Sequence, residues 1–181
     1  MRRPLNLMLQ LAATAGLIAI ATGSALADPS SDLVNASIAT TKAPSYHVSV
    51  TTSGTTIESD VVNPNKAHTI AKDMEMIVIG SAMYVKMDGK WKKMNVPGLW
   101  SDPTDVAKKM QLHRSDFTAS DLGMRIVGGV PYHAYALTDT KKHSKQTVYV
   151  DAAGRFGRVE ASGIVMIFSK YGENVSIVAP M

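Results

Sequence analysis

Methionine and histidine are the residue types with which this sequence could do chemistry. The chain has eleven methionines in 181 residues, and Met74, Met76, Met83, Met87 and Met94 crowd into one stretch. Thioethers are soft ligands that suit Cu(I), so a methionine-based copper site is one reading of that stretch. The spacings Met74/Met76 and Met83/Met87 are equally what period-two alternation gives a packed strand face. On such a face methionine acts either as core filler or as a pliable apolar lining for ligands of variable shape. The five histidines, at 47, 68, 113, 133 and 143, stand singly, without His-x-His or His-Glu-x-x-His spacing, and define no metal site. His133 shares strand parity with Tyr135 and Leu137 and reads as a hydrogen-bonded, half-buried histidine.

The remaining candidates for catalysis are weaker. Asp102 with Asp105, and Asp116 with Asp121, are spaced as acid pairs, yet each fits a helix cap or a turn at least as well. Gly80-Ser81 lacks the second glycine of a nucleophile elbow, and Ser81 reads as a hairpin residue. Gly123, Gly128 and Gly129 are not followed by the Lys-Ser/Thr of a phosphate loop and read as turn residues. The sequence therefore predicts no enzyme, no metal and no cofactor.

The elements that would position these residues begin after a leader. Arg2 and Arg3 precede a largely apolar stretch over 5–21, and Ala25-Leu26-Ala27 supplies a small-x-small pattern before Asp28, so residues 1–27 read as a cleaved signal peptide. The chain has no cysteine, which excludes disulfides, Cys-zinc sites and a lipid anchor. The expected product is a periplasmic protein of one domain, residues 28–181, monomeric and free of lipid attachment. Without Arg2 and Arg3 the formal charge falls from +4 to +2, too little for a nucleic-acid footprint.

Residues 28–42 read as a helix, with Ser30, Ser31 and Asp32 as N-cap candidates, Val34 and Ile38 on its apolar side and Pro44 as its stop. From Tyr46 the period becomes two: Tyr46, Val48 and Val50 share one face, His47, Ser49 and Thr51 the other. Further strands are predicted over 57–62, 67–72, 74–79, 83–87 and 91–94, with Asp88-Gly89 as a hairpin turn. Residues 76–79 are apolar on both faces, as in an interior strand covered on each side. A helix is expected over 103–112, capped by Asp102 and burying Val106 and Met110, and a second helical turn over 115–122. Strands resume over 124–127, 132–138, 147–150, 156–161, 164–169 and 175–178, giving about ten short antiparallel strands and two or three helices in an α+β domain.

This order of elements resembles the bacterial lipoprotein-carrier superfamily with the LolA/LolB-like fold, in its exported lipid-binding branch that includes LppX and LprG. The resemblance rests on four stretches. They are Val62-Asn63-Pro64-Asn65-Lys66; the run IVIGSAMYVKM over 77–87 leading to Trp91-Lys92-Lys93; Gly129-Val130-Pro131-Tyr132-His133-Ala134-Tyr135; and FSKYGENVSIVAP over 168–180. It implies an incomplete barrel of antiparallel strands wrapped around helices, with an apolar cavity that receives acyl chains. The chain departs from the lipid-anchored members in lacking the lipobox cysteine.

The expectation is accordingly a non-enzymatic binding protein that shelters a lipid or acyl chain. Strand parity assigns the lining to Tyr46, Val48, Val50, Ile57, Val61, Met76, Val78, Met83, Val85 and Met87, closed by Val106 and Met110, with Met166 and Phe168 from the late strands. The alternatives are an envelope interaction module whose half-barrel is filled by its own helices, with another envelope protein as partner, and a methionine-based copper binder.

Overall fold

The computed structural model describes residues 28–96 and 114–180. The expected leader over 1–27 and the expected helix over 103–112, with Val106 and Met110, lie outside these residues. The chain opens with helix α1 (Pro29–Lys42) and continues as a meander of β1 (Ser45–Thr52), β2 (Thr55–Val62), β3 (Lys66–Ala71), β4 (Met74–Ile79), β5 (Ala82–Met87) and β6 (Lys90–Asn95). A 3-10 turn at Arg114–Asp116 leads into a second meander of β7 (Phe117–Val127), β8 (Val130–Asp139), β9 (Lys145–Val150), β10 (Phe156–Ala161) and β11 (Ile164–Ser169).

The two meanders form one antiparallel sheet of eleven strands, joined where β1 pairs with β11. Strands β6 and β7 lie at its two edges, so the sheet is an open half-barrel. Tight turns fix the register of the hairpins. Asp88 and Gly89 sit at φ 52° and 74° between the partners Met87 and Lys90, the paired left-handed conformation of a two-residue loop that matches strand twist. Such a loop leaves no freedom to slip, and a one-residue slip would turn every side chain to the opposite face. As the sequence predicts, β4 is an interior strand buried on both sides, with Ile77 at 8% and Val78 at 4% exposure on opposite faces.

Helix α1 is held at both ends. Asp28 is its N-cap, accepting from the Ser30 amide, so Ser30, Ser31 and Asp32 lie inside the helix instead of capping it. At the other end the Asn63 side-chain amide donates to the carbonyls of Thr41 and Ala43 at 2.9 and 2.7 Å, satisfying groups that the last helical turn leaves open. The buried stripe is Leu33, Ala36, Ser37 and Thr40, rotated from the expected Val34 and Ile38, which are half-buried. Small residues at 36, 37 and 40 let the helix approach the sheet closely, whereas the sequence reading followed the largest aliphatic side chains.

Two other expectations are corrected. Residues 117–122 are strand, not helix: they belong to the hairpin that Gly128-Gly129 closes, paired from Phe117↔Asp139 to Val127↔Val130, and this pairing overrides local helical character. Residues 175–178 form no strand, because both sides of β11 are already taken by β1 and β10. The tail instead turns at Lys170 and Gly172, where the Gly172 amide donates to Ser45 O at 2.9 Å, and it buries Ile177 at 6% exposure.

Candidate ligand-binding face and cavity

One face of the sheet carries nearly all of the expected lining. Across β1 and β2, Tyr46 pairs with Val61 and Val50 with Ile57; across β1 and β11, Val48 pairs with Phe168 and Val50 with Met166. Further along, Ala67 lies between Val61 and Val78, Met76 pairs with Val85, and Val78 with Met83. Because cross-strand partners point to the same side, every described member of the set shares one concave face. Met87 ends the row at the rim, half exposed.

Among the described residues the cover over this face is uneven. Leu33 and Ala36 of α1 pack with Tyr135, Val148, Val150 and Val159 into the core of the second meander, flanked by Leu137, Phe156, Met166 and Phe168. The helix contacts chiefly β7, β9 and β10. On the first meander the same face is more open: Met74, Met87 and Met94 are 43%, 50% and 42% exposed, and Met76, Met83 and Val85 are partly buried. Between the two regions, at the β1–β11 seam, Tyr46 packs on Phe168 and Tyr171 with ring centroids 6.2 and 5.9 Å apart, and Phe156 on Phe168 at 5.9 Å. Burial pushes the Tyr46 phenol up, and Tyr171, whose hydroxyl donates to Phe156 O, to about 12.

A cavity of about 530 Å³ opens between the first turns of α1 and strands β7 to β9. Its size is that of a small-ligand site. Asp32, Asn35, Asp121, His133, Tyr135 and Val150 line it, and none of these is in the set expected from the sequence. Its four strand residues stand on the same concave face, since Tyr135 pairs with Asp121 and Val148, and His133 with Val150, while Asp32 and Asn35 come from α1. The Tyr135 hydroxyl donates to Asp32 Oδ2 at 3.1 Å, tying the helix to the sheet. Burial, helped by that hydrogen bond and the negative charges of Asp32 and Asp121, pushes this phenol up to about 12.

His133 stacks on Tyr135, with centroids 4.8 Å apart, and its Nε2 lies 2.7 Å from Asp121 Oδ1. This is the hydrogen-bonded, half-buried histidine that the sequence predicts. The Gly123 amide donates to the same Asp121 oxygen at 2.6 Å, at the bulge where β7 slips register against β8. That backbone hydrogen bond, then His133, hold the Asp121 carboxyl below the usual carboxylate range. Asp116 is bound by Lys141 at 2.7 Å, so each acid of the suspected 116/121 pair has its own structural partner. Asp102 and Asp105 lie outside the described residues. Ser81 occupies the turn between β4 and β5, as expected.

The sequence reading missed one cluster, on the convex face. His47 lies with Nδ1 2.7 Å from Asp60 and Nε2 2.7 Å from Glu58, and Ser49 donates to Glu58 at 2.9 Å. Beside it His68 meets Glu75 at 3.1 Å and Lys86 meets Glu75 at 2.9 Å. The signal was present: Ser53-Gly54 closes a two-residue hairpin that sets His47 opposite Asp60. Among the described residues, no group of three His, Cys, Asp or Glu could hold a metal ion, and no helix is long and apolar enough to cross a membrane.

Solved structures of similar architecture fall where this geometry points. The lipoprotein LppX of Mycobacterium tuberculosis aligns with a TM-score of 0.63 at 17% identity, over 82% of this chain and 97% of its own. LprF of Mycobacterium bovis aligns with a TM-score of 0.60 at 17% identity, over 84% and 96%. A chain of the Pseudomonas aeruginosa MucA/MucB complex aligns with a TM-score of 0.52 at 16% identity, over 83% of this chain and 59% of that one. No family model and no curated protein sequence matches the chain. At these identities the likeness is one of fold. The chain has the open half-barrel fold of LppX and LprF.

Proposed function

We propose that the protein is an exported, non-enzymatic carrier that shelters a lipid acyl chain on the concave face of its half-barrel. The observation that carries this reading is the mainly apolar face from Phe168 and Met166 through Tyr46, Val48, Val50, Ile57, Val61, Met76, Val78, Met83 and Val85 to Met87, interrupted by the Ser59–Thr69 pair, closed over one half by α1 and, among the described residues, partly open over the other. An acyl chain needs burial more than hydrogen bonds, and flexible methionine side chains can reshape around it. The cavity under α1 adds about 530 Å³ on the same face, with polar groups at its margin where a lipid's polar end would sit. The fold shared with the lipoprotein LppX supports the reading.

The test is to purify the protein without detergent, extract it with organic solvent and examine the extract by mass spectrometry, alongside titration with a fluorescent fatty acid. Co-purified lipid and saturable uptake are expected. An empty extract with no uptake overturns the carrier reading. It would favour instead an envelope interaction module, a role consistent with the likeness to a chain of the MucA/MucB complex.

A further inference from the structure

The concave face continues past the cavity to the outside of the molecule, where it becomes apolar again. On β8 the concave-face positions run from Leu137 through Tyr135 and His133 to Pro131; opposite them on β7 lie Asp121 and, past the bulge, Met124 and Ile126. Exposure climbs along this line, from 5% at Tyr135 to 62% at Met124 and 78% at Ile126. Leu122, in the bulge, is 36% exposed, and Val130, on the opposite face of the tip, 45%. Gly128 and Gly129, at φ 60° and 80°, make a two-residue turn between the partners Val127 and Val130, so the exposed side chains sit on a tightly closed hairpin tip. Residues 122–138 contain no Asp or Glu, and the exposed Arg125 gives the tip a positive charge.

We propose that the tip of the β7–β8 hairpin docks on an anionic phospholipid bilayer, Met124 and Ile126 entering the acyl boundary and Arg125 meeting the headgroups. This inference rests on the carrier reading, because the hairpin stands at the polar margin of the concave cavity, where a lipid's headgroup would pass from the bilayer. The size of the patch favours a bilayer over a protein. A stable protein interface engages roughly 20–30 residues a side, far more than this tip offers. Shallow insertion needs only a few apolar side chains and attraction to anionic lipid.

The absence of cysteine makes the test site-specific. The protein carrying Ile126→Cys is labelled with an environment-sensitive fluorophore and mixed with vesicles of phosphatidylethanolamine and phosphatidylglycerol. The emission is expected to rise and shift to the blue, to be quenched by nitroxide-bearing lipid, and to weaken when phosphatidylglycerol is omitted or salt is raised. The same label at Thr56→Cys, exposed on the convex face, should not respond. Ile126→Asp is expected to weaken vesicle binding by about tenfold or more while leaving uptake of a fluorescent fatty acid from solution unchanged. A silent label at 126, or a response that needs only higher protein concentration and no vesicles, overturns the docking proposal and leaves the carrier reading standing. A label that responds in a protein that takes up no fatty acid overturns the carrier reading instead.

Discussion

The two meanders present the same kind of concave face, and among the described residues they are covered differently. Over β7 to β11 the face is closed by the protein's own helix, and the residues beneath it are branched or aromatic: Val148, Val150 and Val159 with Tyr135. Over β1 to β6 the face is rich in methionine, with Met83 opposite Met94, and the outermost methionines stay partly exposed. Branched side chains have few rotamers and suit a partner of fixed shape, here α1. Unbranched, polarizable methionine suits an occupant that varies. On the proposed carrier reading, the difference divides one face into a structural half and a receptive half.

Shortening one side chain in each half tests that division. Leu33 is 4% exposed and lies at the centre of the core beneath α1. Leu33→Ala is expected to lower the free energy of unfolding by about 2–4 kcal/mol, read from urea denaturation. Met83→Ala, at a partly buried position on β5, is expected to cost only about 1 kcal/mol of stability, since less of its surface leaves water. Its larger effect should fall on ligand binding, with uptake of a fluorescent fatty acid weakened by about tenfold. If Met83→Ala destabilises as strongly as Leu33→Ala and leaves uptake unchanged, both halves are core and the division disappears.

The sheet was legible in the sequence because period-two alternation and two-residue turns are local signals. Once Gly80-Ser81 fixes the β4–β5 hairpin between the partners Ile79 and Ala82, parity alone carries Met83, Val85 and Met87 to the same face as Met76 and Val78. The cavity was not legible, because it depends on where α1 lies. The aliphatic residues Val34 and Ile38 mark one side of the helix, while contact is made through Leu33 and the small residues Ala36, Ser37 and Thr40. That placement is set by distant partners: Asn63 at the C-terminal end, the Tyr135 hydroxyl on Asp32, and the Phe156 amide donating to Thr40 Oγ1 at 2.9 Å. None of these pairings has a local signature. The bulge at Asp121–Gly123, which brings Asp121 to His133, was hidden for the same reason: without the bulge, parity along β7 counts one residue wrong.

The smallest expected effect separates the halves by pH. On the convex side of the first meander, His47 has a carboxylate at 2.7 Å from each ring nitrogen, and only the imidazolium can donate to both. Burial opposes the charge, but the hydrogen bonds to Asp60 and Glu58 and their negative charges outweigh it, so the His47 pKa is raised above 6.5. The folded protein therefore holds this proton more tightly than the unfolded chain. The stabilisation is fully present below the unfolded value and is lost as pH rises through the folded one. The urea midpoint should fall as pH climbs from near 6 into the alkaline range, and His47→Gln should flatten that step. In the second meander Asp121 is shifted the other way, so its contribution is present above 3.8 and fades as pH falls through its lowered folded value. His133→Gln should weaken that acid-side dependence without touching the step near neutrality. An unchanged step in His47→Gln would mean that the carboxylates around His47 are too well solvated to hold its proton, and the first meander would then owe its stability to the seam and the apolar row alone.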